Sequence, residues 1–167
     1  MSKTQVTKDF NARSITVARE FEAPPELVWR AYTEAELLDQ WWGPAPWRAE
    51  TKRMNFTPGG QWLYAMVSPE GQRHWALMNY VAIEPHTRIG MVDAFCDEEG
   101  NINTAFPASK GSLVFTPTAR GTRVEFSMAY EQESDLRKII EMGFEQGITQ
   151  CFDQLDTLLQ QGKVRPA

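Results

Sequence analysis

Residue types that build many common functional sites are scarce in this sequence of 167 residues. It contains two cysteines, Cys96 and Cys151, and their separation matches neither a metal-binding motif nor a redox motif. It contains two histidines, His74 and His86. The sequence has no glycine-rich phosphate-binding loop and no cluster of residues spaced as metal ligands. We therefore expect no metal, no cofactor, and two reduced thiols in a cytoplasmic protein.

Long apolar runs and an excess of positive charge are missing as well. No stretch approaches the ~18 apolar residues that a membrane-spanning helix needs, and the first residues are too polar for a secretion signal. The net charge is −5, with lysines and arginines scattered along the chain. The sequence therefore predicts no membrane span and no nucleic-acid partner.

The length and the 42% share of apolar residues fit one globular domain. We predict a flexible N-terminus over residues 1–12 and a single domain over residues 13–161. Residues 162–167 are predicted to form a C-terminal tail.

The first part of this domain is predicted to hold one strand and two short helices. Residues 13–22 alternate between apolar and polar side chains, which indicates a half-buried strand. Pro24-Pro25 ends this strand and suits the first turn of a helix, where no amide donor is needed. A second short helix is predicted over residues 34–41, with a stop at Gly43-Pro44.

From residue 47 onward the pattern is that of strands joined by short turns, which is typical of an antiparallel meander. Strands are predicted near residues 47–56, 62–66, 74–83, 88–95, 113–116 and 123–130. Between the last two hairpins, residues 97–110 form a connection long enough to border a binding site.

The clearest predicted element is a helix from Ser134 to Gln161, with Ser134 as its N-cap. Its apolar residues form one stripe on a helical wheel: Leu136, Ile140, Phe144, Ile148, Cys151, Leu155, Leu158 and Leu159. A sheet with one apolar face and a helix with one apolar stripe bury these surfaces against each other. The predicted fold class is therefore α+β. A curved antiparallel sheet of about six or seven strands wraps around a long C-terminal helix, and two short helices lie between the first two strands.

The motifs that carry a family resemblance are Arg19 to Trp29, Trp41 to Pro44, Pro58 to Trp62, Tyr80 to Ile89, Gly121 to Arg123 and Gly143 to Leu159. In this order they resemble the START/Bet v-like superfamily (SRPBCC), whose helix-grip fold has the architecture described above. Within it, the sequence is similar to the branch named for the activator of heat-shock protein 90 ATPase. Gly147-Ile148 stands where many members of this branch carry Gly-Trp, which would alter a cavity wall.

The resemblance implies binding of a small hydrophobic or amphipathic molecule between the sheet and the C-terminal helix. Two alternatives remain open: a regulator of a chaperone ATPase, with the chaperone as its partner, and a cyclase or hydrolase acting on an aromatic or polyketide substrate. The family has no shared catalytic motif, so no catalytic residue is predicted and binding is favoured over enzymatic activity. A homodimer is also predicted, because the strand over residues 74–83 is apolar on both faces.

The predicted cavity wall consists of large apolar side chains, a few polar ones and one glycine. Its members are Arg19, Trp41, Trp62, Tyr64, Met66, His74, Asn79, Phe115, Phe126, Met128, Phe144, Gly147 and Cys151. Such residue types line ligand pockets, and they also form ordinary cores.

Several of these assignments carry two interpretations. Arg19 is expected on the apolar face of its strand, where it would either form an ion pair or anchor a ligand carboxylate or phosphate. Gly147 either admits a close neighbour or leaves space for a ligand. His74 would act as a base or have a structural role. Of Trp41 and Trp42, one is expected to pack against the sheet and the other to cap the cavity.

The inward face of the strand over residues 74–83 is ambiguous, because both of its faces are apolar. Its inward residues are either Leu77, Asn79, Val81 and Ile83, or His74, Met78 and Tyr80.

Overall fold

An antiparallel sheet of eight strands forms the larger part of the computed structural model, which describes residues 4–165. The strands are β1 (Gln5–Asp9), β2 (Ser14–Phe21), β3 (Arg48–Met54), β4 (Gln61–Val67), β5 (Arg73–Glu84), β6 (Arg88–Phe95), β7 (Ser109–Pro117) and β8 (Thr122–Ala129). They lie side by side in the order β1-β2-β8-β7-β6-β5-β4-β3. Each strand from β3 to β8 thus pairs with its neighbour in the sequence, as the meander pattern predicts.

The helices are α1 (Pro25–Thr33), α2 (Ala35–Trp41), α3 (Glu133–Glu141) and α4 (Phe144–Gln160). The first two connect β2 to β3, as predicted. Pro25 occupies the first turn of α1, where the missing amide hydrogen costs nothing. Within residues 4–165, no helix is both long and apolar enough to cross a bilayer.

The polar segment before β2 carries a strand that the sequence does not predict. β1 pairs with β2 from Gln5 opposite Ala18 to Asp9 opposite Ser14. Backbone hydrogen bonds from this segment complete the free edge of β2, and the flexible N-terminus over residues 1–12 stays a prediction. The strand count rises to eight for the same reason. Residues 1–3 and 166–167 lie outside the described part, and the domain limits 13–161 stay a prediction.

The C-terminal helix is divided, which corrects the prediction of one long helix. α3 ends at Glu141, and Gly143 adopts φ 89° before α4 begins at Phe144. A residue with a Cβ rarely adopts such a backbone, so glycine makes this break possible. The predicted N-cap is also wrong by two residues, since the capping position belongs to Gln132.

The register of the sheet resolves the ambiguity of β5. Met78 lies opposite Trp62 of β4, on the inner face with His74 and Tyr80, so the second of the two predicted sets is correct. Leu77 belongs to the outer face, where it lies opposite Leu63.

A second, small apolar cluster explains why the outer face of β5 is also apolar. Leu63, Leu77 and Ala94 are buried together there. The connection after β6 crosses this side of the sheet, because Lys52 donates a hydrogen bond to the Glu98 carbonyl at 2.9 Å. This burial accounts for Leu77, whereas Val81 of β5 is 63% exposed, and the homodimer stays a prediction.

The main core lies between the inner face of the sheet and helices α1, α2 and α4. Phe152 of α4 packs edge-on against Phe21 of β2, with ring centroids 5.8 Å apart. On its other side it meets Trp41 of α2 at 6.4 Å. These aromatic contacts fill the end of the sheet near β2 and leave space at the other end of α4.

Candidate functional site

A cavity of about 270 Å³ lies between the inner face of the sheet and helices α3 and α4. Strands β4 to β8 supply most of its wall, and Trp42 and Pro44 enter it from the turn after α2. Apolar side chains dominate the wall and a few polar groups interrupt it, a combination typical of small-molecule sites.

Most of the residues predicted from the sequence line this cavity. They are Tyr64, Met66, His74, Phe126, Met128, Phe144, Gly147 and Cys151. Their positions follow from the strand alternation and from the helical stripe, both of which can be read directly from the sequence.

Arg19 lies elsewhere, which corrects its placement in the cavity wall. Its side chain is 4% exposed and forms an ion pair with Asp153 and another, at 3.1 Å, with Asp156 of α4. The guanidinium therefore joins β2 to α4, and its buried Nε has no hydrogen-bond partner within residues 4–165.

Trp41, Trp62, Asn79 and Phe115 also lie outside the cavity wall. Trp41 donates a hydrogen bond to the Ala31 carbonyl at 2.9 Å and packs in the core. Asn79 faces outward and accepts a hydrogen bond from Gln61 at 2.9 Å.

Trp62 and Phe115 lie one layer behind the cavity. Trp62 stacks on Tyr64, with ring centroids 4.0 Å apart. Phe115 packs against Trp29 and Tyr32 of α1 at 5.1 and 5.3 Å. Strand alternation places both correctly on the inner face, but it does not show which inner residues the helices cover.

Of the two neighbouring tryptophans, Trp42 is the one that reaches the cavity, and α4 holds it in place. Gln154 donates hydrogen bonds to the carbonyls of Trp41 and Gly43, each at 2.9 Å. The Gly43 amide donates to Cys151 Sγ at 3.3 Å. Trp42 Nε1 is buried and forms no hydrogen bond of normal geometry within residues 4–165. A buried N–H without a partner is rare in folded proteins.

Asp93 is the cavity residue that sequence reasoning missed. It lies on the inner face of β6, opposite Met78 of β5 and Ser109 of β7. Burial raises the pKa of its carboxyl to about 7. The sequence did contain a signal, because Ile89, Met91, Asp93 and Phe95 alternate on one face, and an acid interrupts an otherwise apolar series.

Hydroxyl groups line the same cavity as this carboxyl. Ser109 and Tyr130 supply two of them, and Ser109 Oγ is buried without a hydrogen bond of normal geometry among the described residues. The Tyr130 hydroxyl contacts Met128 Sδ at 3.8 Å. Burial, together with the charge of Asp93, raises the pKa values of Tyr64 and Tyr130 far above the ordinary range. These phenols are therefore neutral donors throughout the physiological pH range.

An outer groove of about 490 Å³ adjoins the cavity and shares Pro44, Met66, His74 and Phe95 with it. His74 is exposed, and its ring lies 5.5 Å from that of Trp47. Phe106 and Met142, on the far side of this groove, are 38% and 50% exposed. The groove is thus an apolar approach to the cavity, and residues 97–110 border it as the sequence predicts.

The polar residues among the predicted cavity candidates do not all come together. Arg19 is engaged by α4 and Asn79 is on the outer face, which leaves Tyr64 inside the cavity and His74 at its mouth. Within residues 4–165, no cluster of three or more histidine, cysteine or acidic side chains is arranged to hold a metal ion.

The family described as "Activator of Hsp90 ATPase homolog 1-like protein" matches residues 22–160. A solved structure of a protein from Mycobacterium smegmatis is similar, with 29% identity and a TM-score of 0.86 over 93% of this chain and 96% of that one. A protein from Arthrobacter aurescens is 29% identical, with a TM-score of 0.88 over 94% and 91%.

A protein from Nitrosomonas europaea is 28% identical, with a TM-score of 0.80 over 92% of this chain and 98% of that one. None of the curated proteins matches the chain. Because one fold supports many functions, these similarities establish the architecture, and the cavity has to carry any statement about activity.

Proposed function

This chain belongs to the family of activator of Hsp90 ATPase homolog 1-like proteins, as its sequence motifs predict, and we propose that it binds a small apolar or amphipathic molecule in the cavity. The observation that carries the proposal is an apolar cavity whose wall contains buried polar atoms without a hydrogen bond of normal geometry: Trp42 Nε1, beside the Tyr64 hydroxyl, and Ser109 Oγ, beside that of Tyr130. Such incomplete pairing costs part of the roughly 1–3 kcal/mol of an unpaired group. A ligand with an apolar body and a polar end offsets that cost.

The composition of the wall supports a ligand of loosely defined shape. Met66 and Met128 lie in it beside Phe126 and Phe144. Methionine side chains adapt to irregular shapes, and aromatic rings supply large apolar contact areas. Ile148 also lines the cavity, where the family resemblance suggests a larger Trp in many relatives. The smaller side chain leaves more room here.

Native mass spectrometry of the freshly purified protein tests this proposal. We expect a bound small molecule that is released on denaturation. If none is retained, the apolar dye N-phenyl-1-naphthylamine should bind with enhanced fluorescence and raise the melting temperature as its concentration increases. A protein that carries no small molecule and gives neither dye response would contradict the proposal.

A substitution at Gly147 locates the binding site. A Cβ added there would lie 3.8 Å from Pro44 Cγ, so the backbone tolerates a side chain. Gly147→Leu should fill part of the cavity and weaken dye binding about tenfold or more, or about 1.4 kcal/mol. Gly147→Ala is the matched control, since it gives a similar gain in helix propensity and adds one carbon only. Equal dye affinity in both variants would place the dye outside the cavity.

The family description favours a second function, regulation of a chaperone ATPase. In that case the protein acts through its outer surface, and filling the cavity does not change the stimulation of the ATPase. The measurement is the ATPase rate of heat-shock protein 90 from the same organism, with wild type and Gly147→Leu. Stimulation that survives the substitution would support the second function over ligand binding.

A further inference from the structure

We propose that the ligand carries a protonated amine, which binds at Asp93 with its apolar body between the sheet and α4. This inference rests on the proposed function and specifies the chemical class of the ligand. It depends on the position of Asp93, on the state of its carboxylate and on the charges of the groups that face it.

The position of Asp93 makes its carboxylate the floor of the cavity. β6 lies between β5 and β7 in the sheet, and Asp93 is level with Met78 and Ser109 on the inner face. Phe126 of β8 and Gly147 of α4 contribute to other parts of the same wall. A molecule in the cavity therefore meets one acid, a few hydroxyl groups and otherwise a mainly apolar wall.

The carboxylate of Asp93 has no donor within the described part of the chain. Neither a hydrogen bond nor an ion pair reaches it, whereas other acids of the protein are satisfied. Asp39 accepts hydrogen bonds from the amide and hydroxyl of Thr51 at 3.1 and 2.7 Å, and Asp156 pairs with Arg19 at 3.1 Å. Ser109, which is level with Asp93 and 4% exposed, has a hydroxyl that pairs only loosely with that of Tyr130. An acid without a donor in a cavity indicates a polar ligand group beside it.

The charge balance of the cavity explains why that group should be a cation. An ionised carboxylate in an apolar site is poorly solvated, and a cationic hydrogen-bond donor offsets this penalty best. Burial as the cause of the raised Asp93 pKa agrees with the lack of any nearby positive charge. No cationic side chain of the described residues pairs with Asp93, so the ligand supplies the positive charge.

The groups that face Asp93 from the surrounding elements stay neutral. Tyr64 and Tyr130 have pKa values raised by burial, and burial raises the pKa of Cys151 on α4 to about 11. His74 at the mouth is the one histidine of the wall. An experiment that varies pH has to control for it.

The test uses three small probes that share an aromatic ring and differ in charge: 2-phenylethylamine, 2-phenylethanol and phenylacetate. Their affinities are measured on the full chain by NMR chemical-shift titration, which detects weak binding. We expect the order amine, alcohol, carboxylate. Affinity for the amine should rise about tenfold or more from pH 5.5 to pH 8.5, because the fraction of ionised Asp93 increases over this range.

Two variants identify the group responsible. Asp93→Asn should remove the preference for the amine over the alcohol and should flatten the pH dependence. His74→Gln should keep both, because the exposed imidazole lies at the mouth. The pH series on the wild type remains informative even if Asp93→Asn does not fold.

Three outcomes would overturn the inference: equal affinity for all three probes, an amine preference that persists in Asp93→Asn, or affinity that falls as pH rises. The last result would mean that the carboxylate of Asp93 is not the group that binds the amine. In each of these cases the cavity still binds a ligand and the proposed function stands. Binding of none of the probes also overturns the inference, and the native mass spectrometry and dye experiments then decide on the cavity itself.

Discussion

At the scale of single residues, the ionised carboxylate of Asp93 in the cavity lowers the stability of the folded protein at neutral pH. Its folded-state pKa of about 7 lies above the ordinary aspartate value of 3.8. Between these two values the folded protein binds more protons than the unfolded chain. The contribution of Asp93 to stability is therefore complete below about pH 4 and is lost as pH rises to 7.

Asp93→Asn should remove this pH dependence. Above pH 7 we expect the variant to gain stability relative to wild type, by on the order of 2–4 kcal/mol, because one pKa unit corresponds to about 1.4 kcal/mol. The difference in unfolding free energy should decline steadily toward pH 4. Urea unfolding at several pH values measures it. A difference that stays constant from pH 4 to pH 8 would show that Asp93 is not desolvated in the folded protein.

At the scale of elements, the two glycines near the start of α4 have different roles. Gly143 separates α3 from α4 with φ 89°, whereas Gly147 lies inside α4 beside the cavity. Neither has a close neighbour that would clash with a Cβ, since the nearest atoms are Gln146 Oε1 at 3.9 Å and Pro44 Cγ at 3.8 Å. Backbone conformation alone should therefore decide the effect of adding a methyl group.

Alanine at these two positions should change stability in opposite directions. Gly143→Ala should destabilise by about 1–2 kcal/mol, because a left-handed backbone is unfavourable with a Cβ. Gly147→Ala should stabilise by up to about 1 kcal/mol, because alanine is the better helix former. Thermal and urea unfolding of both variants provide the comparison. A stabilised Gly143→Ala would indicate that α3 and α4 can merge into one helix.

At the scale of the whole molecule, Arg19 connects the beginning of the chain to its end. It reaches from β2 to two acids of α4, and it is 4% exposed while Asp153 is 62% and Asp156 15% exposed. Its guanidinium also lies 5.6 Å from the centre of the Phe21 ring. This ion-pair cluster fixes the position of α4 over the sheet, and thereby the height of the cavity.

Arg19→Met should destabilise the protein by on the order of 2–3 kcal/mol, since it leaves the carboxylates at a partly buried site without their counter-charge. The methionine keeps most of the apolar stem, so the loss reports the charge. Arg123→Met is the matched control, because its pair with Glu125 is exposed at 40% on both sides and should contribute less than about 1 kcal/mol. Urea unfolding free energies compare the two. Similar losses in both variants would show that Arg19 does not hold α4 in place.

The sequence by itself determined the architecture of most of the chain. Alternation of apolar residues identified the strands of the meander, and the helical stripe identified the C-terminal helical segment, because a sheet has a period of two residues and a helix one of 3.6. The family match over residues 22–160 agrees with the family predicted from the motifs. The sequence patterns also identified much of the cavity wall, including Tyr64, Phe126 and Gly147.

Only the tertiary structure decided which inner residues face the cavity and which face the core. β1 could not be predicted, because its order comes mainly from hydrogen bonds to the edge of β2, and Val6 is its single apolar residue packed against the core. The pairing of Arg19 with Asp153 and Asp156 could not be predicted either, since these residues are far apart in the chain. The same holds for the placement of Trp42 rather than Trp41 in the cavity and for the lone carboxylate of Asp93. Local patterns give the face on which a side chain lies, but its partners come from distant segments and depend on how α4 rests on the sheet.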